Sequence, residues 1–150
     1  MMQVSQKSRY ALRALFELAR HYGEGPVRIA EIAERQAIPP RFLEGILNQL
    51  KQAGLLRSVR GARGGYELGH DPAAVTVGDM MRVTEGPIAP NRCVDESNHE
   101  TCPLYPDCAF LPMWQRAAEA LSSVYDTTSL QDLLDQDQFR RDQGSLTYSI

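Results

Sequence analysis

The residues with the most distinctive chemistry in this 150-residue chain are its three cysteines, which all lie in the stretch RCVDESNHETCPLYPDC, residues 92–108. Cys93, Cys102 and Cys108 follow the spacing C-x8-C-x5-C. Thiolates are soft ligands that select iron–sulfur clusters, zinc or copper(I), and cysteine is the commonest protein ligand of iron–sulfur clusters. The three cysteines therefore indicate a metal or cluster site.

Other interpretations of these thiols stay open. A zinc ion would accept the three cysteines together with His99 as a tetrahedral Cys3His set. A thiol switch would form a disulfide, for example between Cys102 and Cys108, because exposed thiols oxidise readily. Cysteines also pack without ligands as small hydrophobic residues, but the neighbouring side chains here are polar or acidic: Asp95, Glu96, Asn98, Glu100 and Asp107.

The composition predicts a soluble globular protein of the cytoplasm. Hydrophobic residues make up 43% of the chain and charged residues 23%, which is the balance of a folded domain. No apolar run approaches the roughly 18 to 20 residues that a membrane span requires, and the N-terminal residues lack the pattern of a signal peptide. We therefore expect no membrane partner. In the cytoplasm an odd set of clustered thiols indicates metal or redox chemistry before structural disulfides.

Charge is unevenly divided along the chain. Residues 1–70 contain eleven Lys or Arg against six Glu, whereas residues 71–150 contain five Arg against thirteen Asp or Glu. A basic half joined to an acidic half favours one surface that meets a polyanion and another that does not.

The basic half has the pattern of a helix-turn-helix. Apolar residues at spacings of three and four predict an amphipathic helix over residues 8–22, which Gly23 ends. A short helix follows around Ile32, and Pro39-Pro40 then turns the chain into another helix that ends near Gly54. Two helices of this size across a tight turn are typical of the motif.

A β-hairpin is predicted over residues 55–68, because two short strand-like runs flank a glycine-rich tip at residues 61–65. Helix, helix and hairpin in this order predict a winged helix-turn-helix. The predicted fold class is therefore mainly α with a small β-hairpin wing, with residues 1–86 as a winged helix-turn-helix domain and a long helix near the C-terminus.

The rest of the chain is divided into three parts. A helix capped by Thr76 and Asp79 closes the first domain, and residues 87–111 form a cysteine-containing sensor loop. Residues 112–134 are predicted to form a helix from about Pro112 to Tyr125 and a packing turn that starts at Ser129. Residues 135–150 lack hydrophobic periodicity and are expected to form a loose, flexible tail.

The predicted DNA contacts fall into three groups. The first residues of the second motif helix reach base edges in the major groove, where Arg41 can donate to guanine or phosphate and Glu44 can accept from a cytosine amino group. These two residues are also spaced as a solvated pair on a helix surface. Arg60 and Arg63 at the hairpin tip are suited to the minor groove. Further candidates are Pro39, Pro40, Phe42 and Gly45 on the same helix, and Ser5, Lys7, Arg9, Arg28 and Lys51 as phosphate contacts.

Three segments resemble the Rrf2 family of bacterial transcription regulators, which includes IscR-, NsrR- and RirA-like repressors. They are SQKSRYALRALFELA, IPPRFLEGILNQLKQAGLLRSVRGARGGYEL and VTVGDMMRVTEG. The resemblance implies a homodimer in which the helix from Pro112 pairs across a two-fold axis, and a palindromic operator on double-stranded DNA. It also implies that Arg60 enters the minor groove while the helix that bears Glu44 reads the major groove.

Cluster-binding members of this family carry three cysteines immediately before the dimer helix. The resemblance therefore implies that Cys93, Cys102 and Cys108 hold a [2Fe–2S] or [4Fe–4S] cluster. The fourth ligands of known members are absent, because Leu111 stands where IscR-like proteins have histidine and Arg9 stands where NsrR-like proteins have aspartate. The local candidates for a fourth ligand are His99, Asp95, Glu96 and Asp107.

The predicted function is that of a DNA-binding transcription regulator, expected to be a repressor, whose operator affinity responds through the cluster to iron, redox state or nitric oxide. The alternative is a winged-helix regulator with a zinc site or a disulfide switch, or one without metal that responds to a small molecule or a protein. A redox enzyme or electron carrier has less support, because the chain has no nucleotide-binding glycine motif after a strand, no CxxC pair and no Ser/His/Asp set with plausible roles.

Overall fold

The computed structural model describes residues 3–95 and 102–147, which form six α-helices and one two-stranded antiparallel sheet. The elements in chain order are α1 (Gln6–Arg20), α2 (Ile29–Arg35), α3 (Pro40–Gln52), β1 (Leu56–Val59), β2 (Gly65–Leu68), α4 (Val77–Thr84), α5 (Leu111–Thr127) and α6 (Leu130–Thr147). Short 3-10 turns lie at Pro72–Ala74 and Arg92–Val94. The fold is mainly α with a small hairpin, as the sequence predicts.

Helices α1, α2 and α3 pack around a continuous apolar core. Proline is favoured in the first turn of a helix because its fixed backbone angle fits there, and Pro40 begins α3 in this way. Apolar residues three and four positions apart then lie on one side of the helix and face the core. The buried residues of α3 are Leu43, Ile46, Leu47 and Leu50, and those of α1 include Ala11, Ala14, Leu15 and Leu18.

The hairpin is attached to these helices by backbone hydrogen bonds. β1 and β2 pair so that Leu56 lies opposite Leu68. The N–H and C=O groups of Tyr66 also bond to those of Val27, at 2.8 and 2.9 Å. Gly65 permits this close approach, because a Cβ atom at its position would clash with the Val27 carbonyl oxygen. The wing is therefore held against the segment that leads into α2.

Helix α4 begins with the capping box that the sequence predicts. Thr76 Oγ1 accepts a hydrogen bond from the Asp79 N–H at 3.1 Å, and the Asp79 carboxylate accepts one from the Thr76 N–H at 2.9 Å. These bonds satisfy N–H groups that the start of a helix otherwise leaves without partners. Met80 is buried in the same core as α1 and α3, so α4 packs as part of the winged-helix half of the chain.

A buried carboxylate joins α1 to the end of α2. The Glu17 side chain is 1% exposed and accepts hydrogen bonds from Arg35 Nη1 at 3.1 Å and Gln36 Nε2 at 2.7 Å. Nε2 of His21 lies 3.2 Å from the same carboxylate. Burial raises the pKa of Glu17, but the hydrogen bonds from Gln36, Arg35 and His21 outweigh this effect and hold the pKa below its ordinary value. An ionised Glu17 therefore fixes the residues that lead into the helix-turn-helix turn.

Helices α5 and α6 bury far less of their surface. Leu111 is the only buried residue of α5, and Leu130 is the only buried one among the described side chains of α6. The predicted cap of α6 is present, because Ser129 Oγ accepts from the Asp132 N–H at 3.0 Å. Within residues 3–95 and 102–147, no helix combines the length and the apolar composition that crossing a membrane requires.

Residues 135–147 continue α6, which corrects the expectation of a loose tail. The tail was expected because residues 135–150 show no regular spacing of apolar residues. Such spacing indicates that one face of a helix is buried, and a helix that remains exposed does not need it. Arg20 of α1 donates to Asp137 at 2.5 Å and holds the helix against α1. Polar side chains four residues apart stabilise an exposed helix, and α6 has three such pairs: Gln131–Asp135, Gln138–Asp142 and Asp137–Arg141.

Candidate functional site

The predicted base-reading residues lie together at the N-terminal end of α3. Pro40, Arg41, Phe42, Glu44 and Gly45 are all exposed, while the buried leucines of the same helix hold it against the core. The guanidinium carbon of Arg41 lies 4.7 Å from the centroid of the Phe42 ring, a distance typical of a cation–π contact. The head of α3 therefore presents a guanidinium, a carboxylate and an aromatic ring on a rigid support.

The tip of the wing carries the second predicted group. Arg60 and Arg63 are exposed, and neither has a carboxylate partner among the residues that the structure describes. Arg57, on β1, pairs instead with a glutamate of β2 at 3.1 Å. Arg28 is connected to the tip, because its Nη2 donates to the Ala62 carbonyl at 2.9 Å. The wing thus offers two guanidinium groups to solvent, and Arg28 helps to hold their backbone.

The candidate phosphate contacts are more scattered than the sequence suggests. Lys7 lies on the side of α1 that faces the head of α3, whereas Arg9 lines a groove between α1 and α6. Lys51 lies at the C-terminal end of α3, about 15 Å along the helix axis from Arg41. Ser5 caps the start of α1. The structure therefore brings Lys7 to the head of α3 and places Arg9 and Lys51 elsewhere.

Tyr10 belongs to the same surface, although the sequence patterns did not reveal it. Its ring centroid lies 6.2 Å from that of Phe42, and its hydroxyl accepts a hydrogen bond from Gln6 Nε2 at 2.6 Å. Tyr10 lies outside the hydrophobic stripe from which α1 was predicted. It is partly buried against the edge of the core, and a large aromatic residue beside an apolar stripe is the signal that identifies it.

The three cysteines lie in the segment between α4 and α5, and two of them are tied to α5. Cys93, Cys102 and Cys108 are half-buried and form no disulfide. Cys93 stands in the 3-10 turn Arg92–Val94, which packs against α5. Cys108 directly precedes that helix, and its carbonyl accepts the N–H of Leu111 at 3.1 Å. Two of the three thiols are therefore positioned by α5.

The cysteine segment, residues 85–110, has no buried residue among those that the structure describes. Large apolar side chains face solvent here, and Leu104 is 63% exposed. No set of three His, Cys, Asp or Glu side chains in the described residues is placed to hold a metal ion; His99 and Glu96 lie outside the described residues. The thiols nevertheless match an iron–sulfur cluster in ligand type, being soft donors that no disulfide occupies.

An apolar stripe runs along the exposed side of α5 and begins at the residue before it. Phe110, Met113, Ala117, Ala120 and Val124 alternate spacings of three and four residues, which is the pattern of a helix seam that packs on another helix. None of the five is buried within the chain, and Val124 is 61% exposed. This α5 stripe is suited to pairing with a second helix.

An ion pair connects α5 to α4 and through it to the winged-helix half of the chain. Two guanidinium nitrogens of Arg82 donate to the two carboxylate oxygens of Asp126 at 2.6 and 2.8 Å, a bidentate geometry. The Arg82 guanidinium holds the pKa of Asp126 below its ordinary value. Gly78 of α4 lies against this pair, because a Cβ atom there would clash with the Asp126 carboxylate. Helix α4 therefore contacts the apolar core on one side and α5 on the other.

Comparison with known proteins agrees with this architecture. The family Rrf2, described as an iron-dependent transcriptional regulator, matches residues 4–136. The transcriptional regulator CymR of Bacillus subtilis is 39% identical over 132 residues, which cover 88% of this chain and 89% of that protein. The transcriptional regulator IscR of Yersinia enterocolitica is 35% identical over 133 residues, which cover 89% of this chain and 79% of that protein. The solved structure of CymR, described as the global cysteine regulator of B. subtilis, matches with a TM-score of 0.75 and 38% identity over 91% of this chain and 98% of that chain.

Proposed function

Because the chain belongs to the Rrf2 family of transcriptional regulators, we propose that it binds double-stranded DNA through the head of α3 and the tip of the wing. In the major groove, Glu44 accepts from a cytosine amino group and Arg41 donates to guanine or to phosphate. Arg60 and Arg63 enter the adjacent minor groove, whose negative potential attracts guanidinium groups. Lys7 adds a phosphate contact, which gives affinity without sequence information.

The contrast between the arginines of the hairpin supports this proposal most directly. Arg57 lies on β1, and its positive charge is balanced by the carboxylate of Glu67 on β2, at 3.1 Å. Arg60 and Arg63 lie at the tip and have no carboxylate partner in the described part of the chain, although the tip itself is fixed by Arg28. A fixed tip with two uncompensated guanidinium groups is suited to a polyanion that supplies the missing charge.

A pair of arginine variants tests the DNA-binding proposal. A duplex selected from a random pool with the full-length protein is titrated at several salt concentrations. Arg60→Ala is expected to lower the affinity about tenfold or more. It should also reduce the slope of log affinity against log salt, because the variant neutralises less DNA charge and its binding releases fewer counterions. Arg57→Ala, which removes an arginine already paired within the sheet, is the control and should change both quantities little. Failure of the wild-type chain to bind any duplex at low salt would contradict the proposal.

We propose that the functional unit is a homodimer formed through the α5 stripe. Two copies of α5 related by a two-fold axis bury the stripe on both sides, and the two DNA-binding halves then read a palindrome with half-sites one or more helical turns apart. Val124→Glu puts a charge into the stripe and is expected to give a monomer in sedimentation experiments. Gln115→Glu, an exposed position of α5 outside the stripe, is the matched control and should remain dimeric. A dimeric Val124→Glu variant would contradict this assignment.

We propose that Cys93, Cys102 and Cys108 hold an iron–sulfur cluster and that its occupancy or redox state is the signal. When bound, the cluster supplies sensitivity to iron and to oxidation. The chain supplies three thiolates, two of which lie at α5. Ligation by Cys93 and Cys108 would therefore fix the cysteine segment relative to the helix that carries the dimer stripe. The family description as an iron-dependent regulator supports this proposal.

Metal analysis separates a cluster from zinc. Wild-type protein purified without oxygen is expected to be coloured and to contain iron and acid-labile sulfide, and Cys102→Ala is expected to lose both. A colourless protein with one zinc per chain would contradict the cluster proposal and would support a zinc site of the Cys3His type.

A thiol-based regulator without metal is the second candidate. CymR, the cysteine regulator of B. subtilis, is 39% identical to this chain, and the described residues do not gather a metal-binding set around the thiols. In this alternative, one peroxide oxidises the Cys102 and Cys108 thiols to a disulfide and is reduced to two waters. Iron-free protein that loses two thiols per chain on peroxide treatment, and changes its DNA affinity as it does so, would favour this candidate.

A further inference from the structure

An apolar cleft opens between α1 and the head of α3. Its volume is about 380 Å³. Tyr10 and Phe42 line it together with Ile46, which is buried beneath them. Its rim carries the positively charged groups of Lys7 and Arg41. The cleft therefore combines an apolar interior with a cationic edge.

The two aromatic walls of this cleft are held in place rather than left free. The Tyr10 hydroxyl accepts from Gln6 one helical turn earlier, at 2.6 Å. The Phe42 ring lies beneath the Arg41 guanidinium at 4.7 Å, yet 44% of the residue stays exposed. Each wall belongs to a helix anchored in the core, so the recess exists before any ligand arrives.

The positive charges at the rim narrow the range of ligands that this apolar cleft can be expected to bind. Positive charge on both sides of the opening favours a polyanion over a neutral apolar molecule. The cleft also lies directly beside the residues proposed to read base edges. In the major groove of DNA, the apolar group that distinguishes one base from the others is the 5-methyl group of thymine, which phenylalanine contacts favourably.

We propose that this cleft receives the 5-methyl group of one thymine in each operator half-site, with Phe42 and Tyr10 as the contacting rings. The inference rests on the proposed DNA-binding function and adds a base preference to it. Gly45 supports the approach of a base, since a Cβ atom at its position would meet no other atom within 4 Å. The edge of the cleft at α3 is therefore open toward the groove.

Replacement of thymine by deoxyuridine tests this assignment because it removes the methyl group and leaves the hydrogen-bonding groups unchanged. Each thymine of the selected duplex is replaced in turn, and affinity is measured with the full-length protein prepared without oxygen. At one thymine per half-site we expect a loss of about fourfold, the usual effect of one buried methyl group. Phe42→Ala should bind the thymine and uracil duplexes equally. Phe139→Ala removes a phenylalanine of similar exposure, 65%, from α6 and should keep the wild-type preference.

The outcomes separate this inference from the proposed function. If the chain binds the duplex with a salt-dependent affinity that Arg60→Ala lowers, but no thymine position responds to loss of its methyl group, the cleft has another occupant and the inference is overturned. The same holds if Phe42→Ala loses as much affinity on deoxyuridine replacement as the wild type. If no duplex is bound at all, the proposed function fails first.

Discussion

The winged-helix half and the cysteine segment differ in what holds their side chains in place. In residues 3–84, four helices and the hairpin share one apolar core, and the exposed residues of α3 and of the wing stand on elements anchored in it. In the described residues of the cysteine segment nothing is buried. Packing therefore fixes the first surface within a single chain. The cysteine segment is held near its start, where Ile88 packs partly against the shared core, and the arrangement of its thiols depends on what binds to them.

This difference suggests how a regulator can combine the two regions. Under the proposed function, a surface held by the core is arranged for DNA before binding, and a segment with no buried residue among those described can change when a ligand binds. A ligand shifts such an equilibrium only by its different affinities for the two states. Helix α5 lies between the regions, because it contacts the turn that contains Cys93 and also pairs with α4 through Asp126.

The largest expected effect contrasts a core leucine with an exposed one. Leu47→Ala opens a cavity in the shared core and is expected to lower the free energy of unfolding by about 2–5 kcal/mol. Leu104→Ala removes a side chain that is 63% exposed in the cysteine segment and should change this free energy by less than about 0.5 kcal/mol. Urea denaturation followed by circular dichroism, at one fixed protein concentration, measures both. Equal losses would mean that the cysteine segment has a core of its own.

The buried Glu17 carboxylate gives a pH-dependent test of the first region. Because its pKa is lower in the folded chain, it adds stability that is present above the ordinary glutamate pKa and is lost as pH falls through the folded value. Glu17→Gln is expected to lower the stability by about 1–3 kcal/mol at neutral pH, with a smaller difference from wild type in acid. Glu24→Gln is the control, because Glu24 is an exposed carboxylate that also pairs with His21. A difference that stays constant down to pH 3 would contradict the lowered pKa.

Two glycines in helices separate stability from DNA binding. At Gly45 on α3 and Gly144 on α6, a Cβ atom would meet no other atom within 4 Å, so alanine should stabilise each helix by about 1 kcal/mol. Gly45→Ala also places a methyl group on the surface proposed to face base edges and is expected to weaken operator binding. Gly144→Ala should leave operator affinity unchanged. If both variants bind DNA as the wild type does, the face of α3 at Gly45 does not meet the bases.

The smallest expected effect concerns the ion pair between α4 and α5. Both partners are partly exposed, so Asp126→Ala should cost only about 0.2–1 kcal/mol of stability. The same substitution is expected to weaken the dependence of operator affinity on the cluster, because the contact joins the two regions. Arg141→Ala breaks a comparable surface pair within α6 and should leave that dependence intact. If the operator affinity of Asp126→Ala depends on the cluster as strongly as that of the wild type, this ion pair does not link the two regions.

Helices and strands that bury one face were predictable from the sequence, because burial of one face requires apolar residues at regular spacing. The amphipathic helix α1, the Thr76 and Asp79 cap and the glycine-rich wing all appear in the structure near the expected places. Phe42, expected to be buried on the apolar side of α3, is instead 44% exposed. The second half of α6 did not follow from periodicity, because its stability comes from polar pairs and from Arg20. Tyr10 was missed because it lies beside the predicted stripe: it packs only partly against the core, and its ring also contributes to the surface at the head of α3.

The thiol arrangement was not predictable in the same way. Residue type indicated Cys93, Cys102 and Cys108 as candidate ligands, but the geometry of soft ligands is set by the metal as well as by the chain. With no buried residue among those described around the cysteines, the chain alone imposes few distances on them. His99, a candidate fourth ligand, lies outside the described residues.

The central claim is that one region reads DNA while the other controls its affinity, and a single comparison of operator affinities tests it most directly. Affinity is measured without oxygen for the cluster-loaded and the cluster-free wild type, and for Cys102→Ala. A coupling of about 1–3 kcal/mol predicts that the two wild-type states differ about 5- to 150-fold, and that Cys102→Ala matches the cluster-free state under both conditions. Identical affinities for all three proteins on the selected operator would show that the cysteines do not regulate DNA binding.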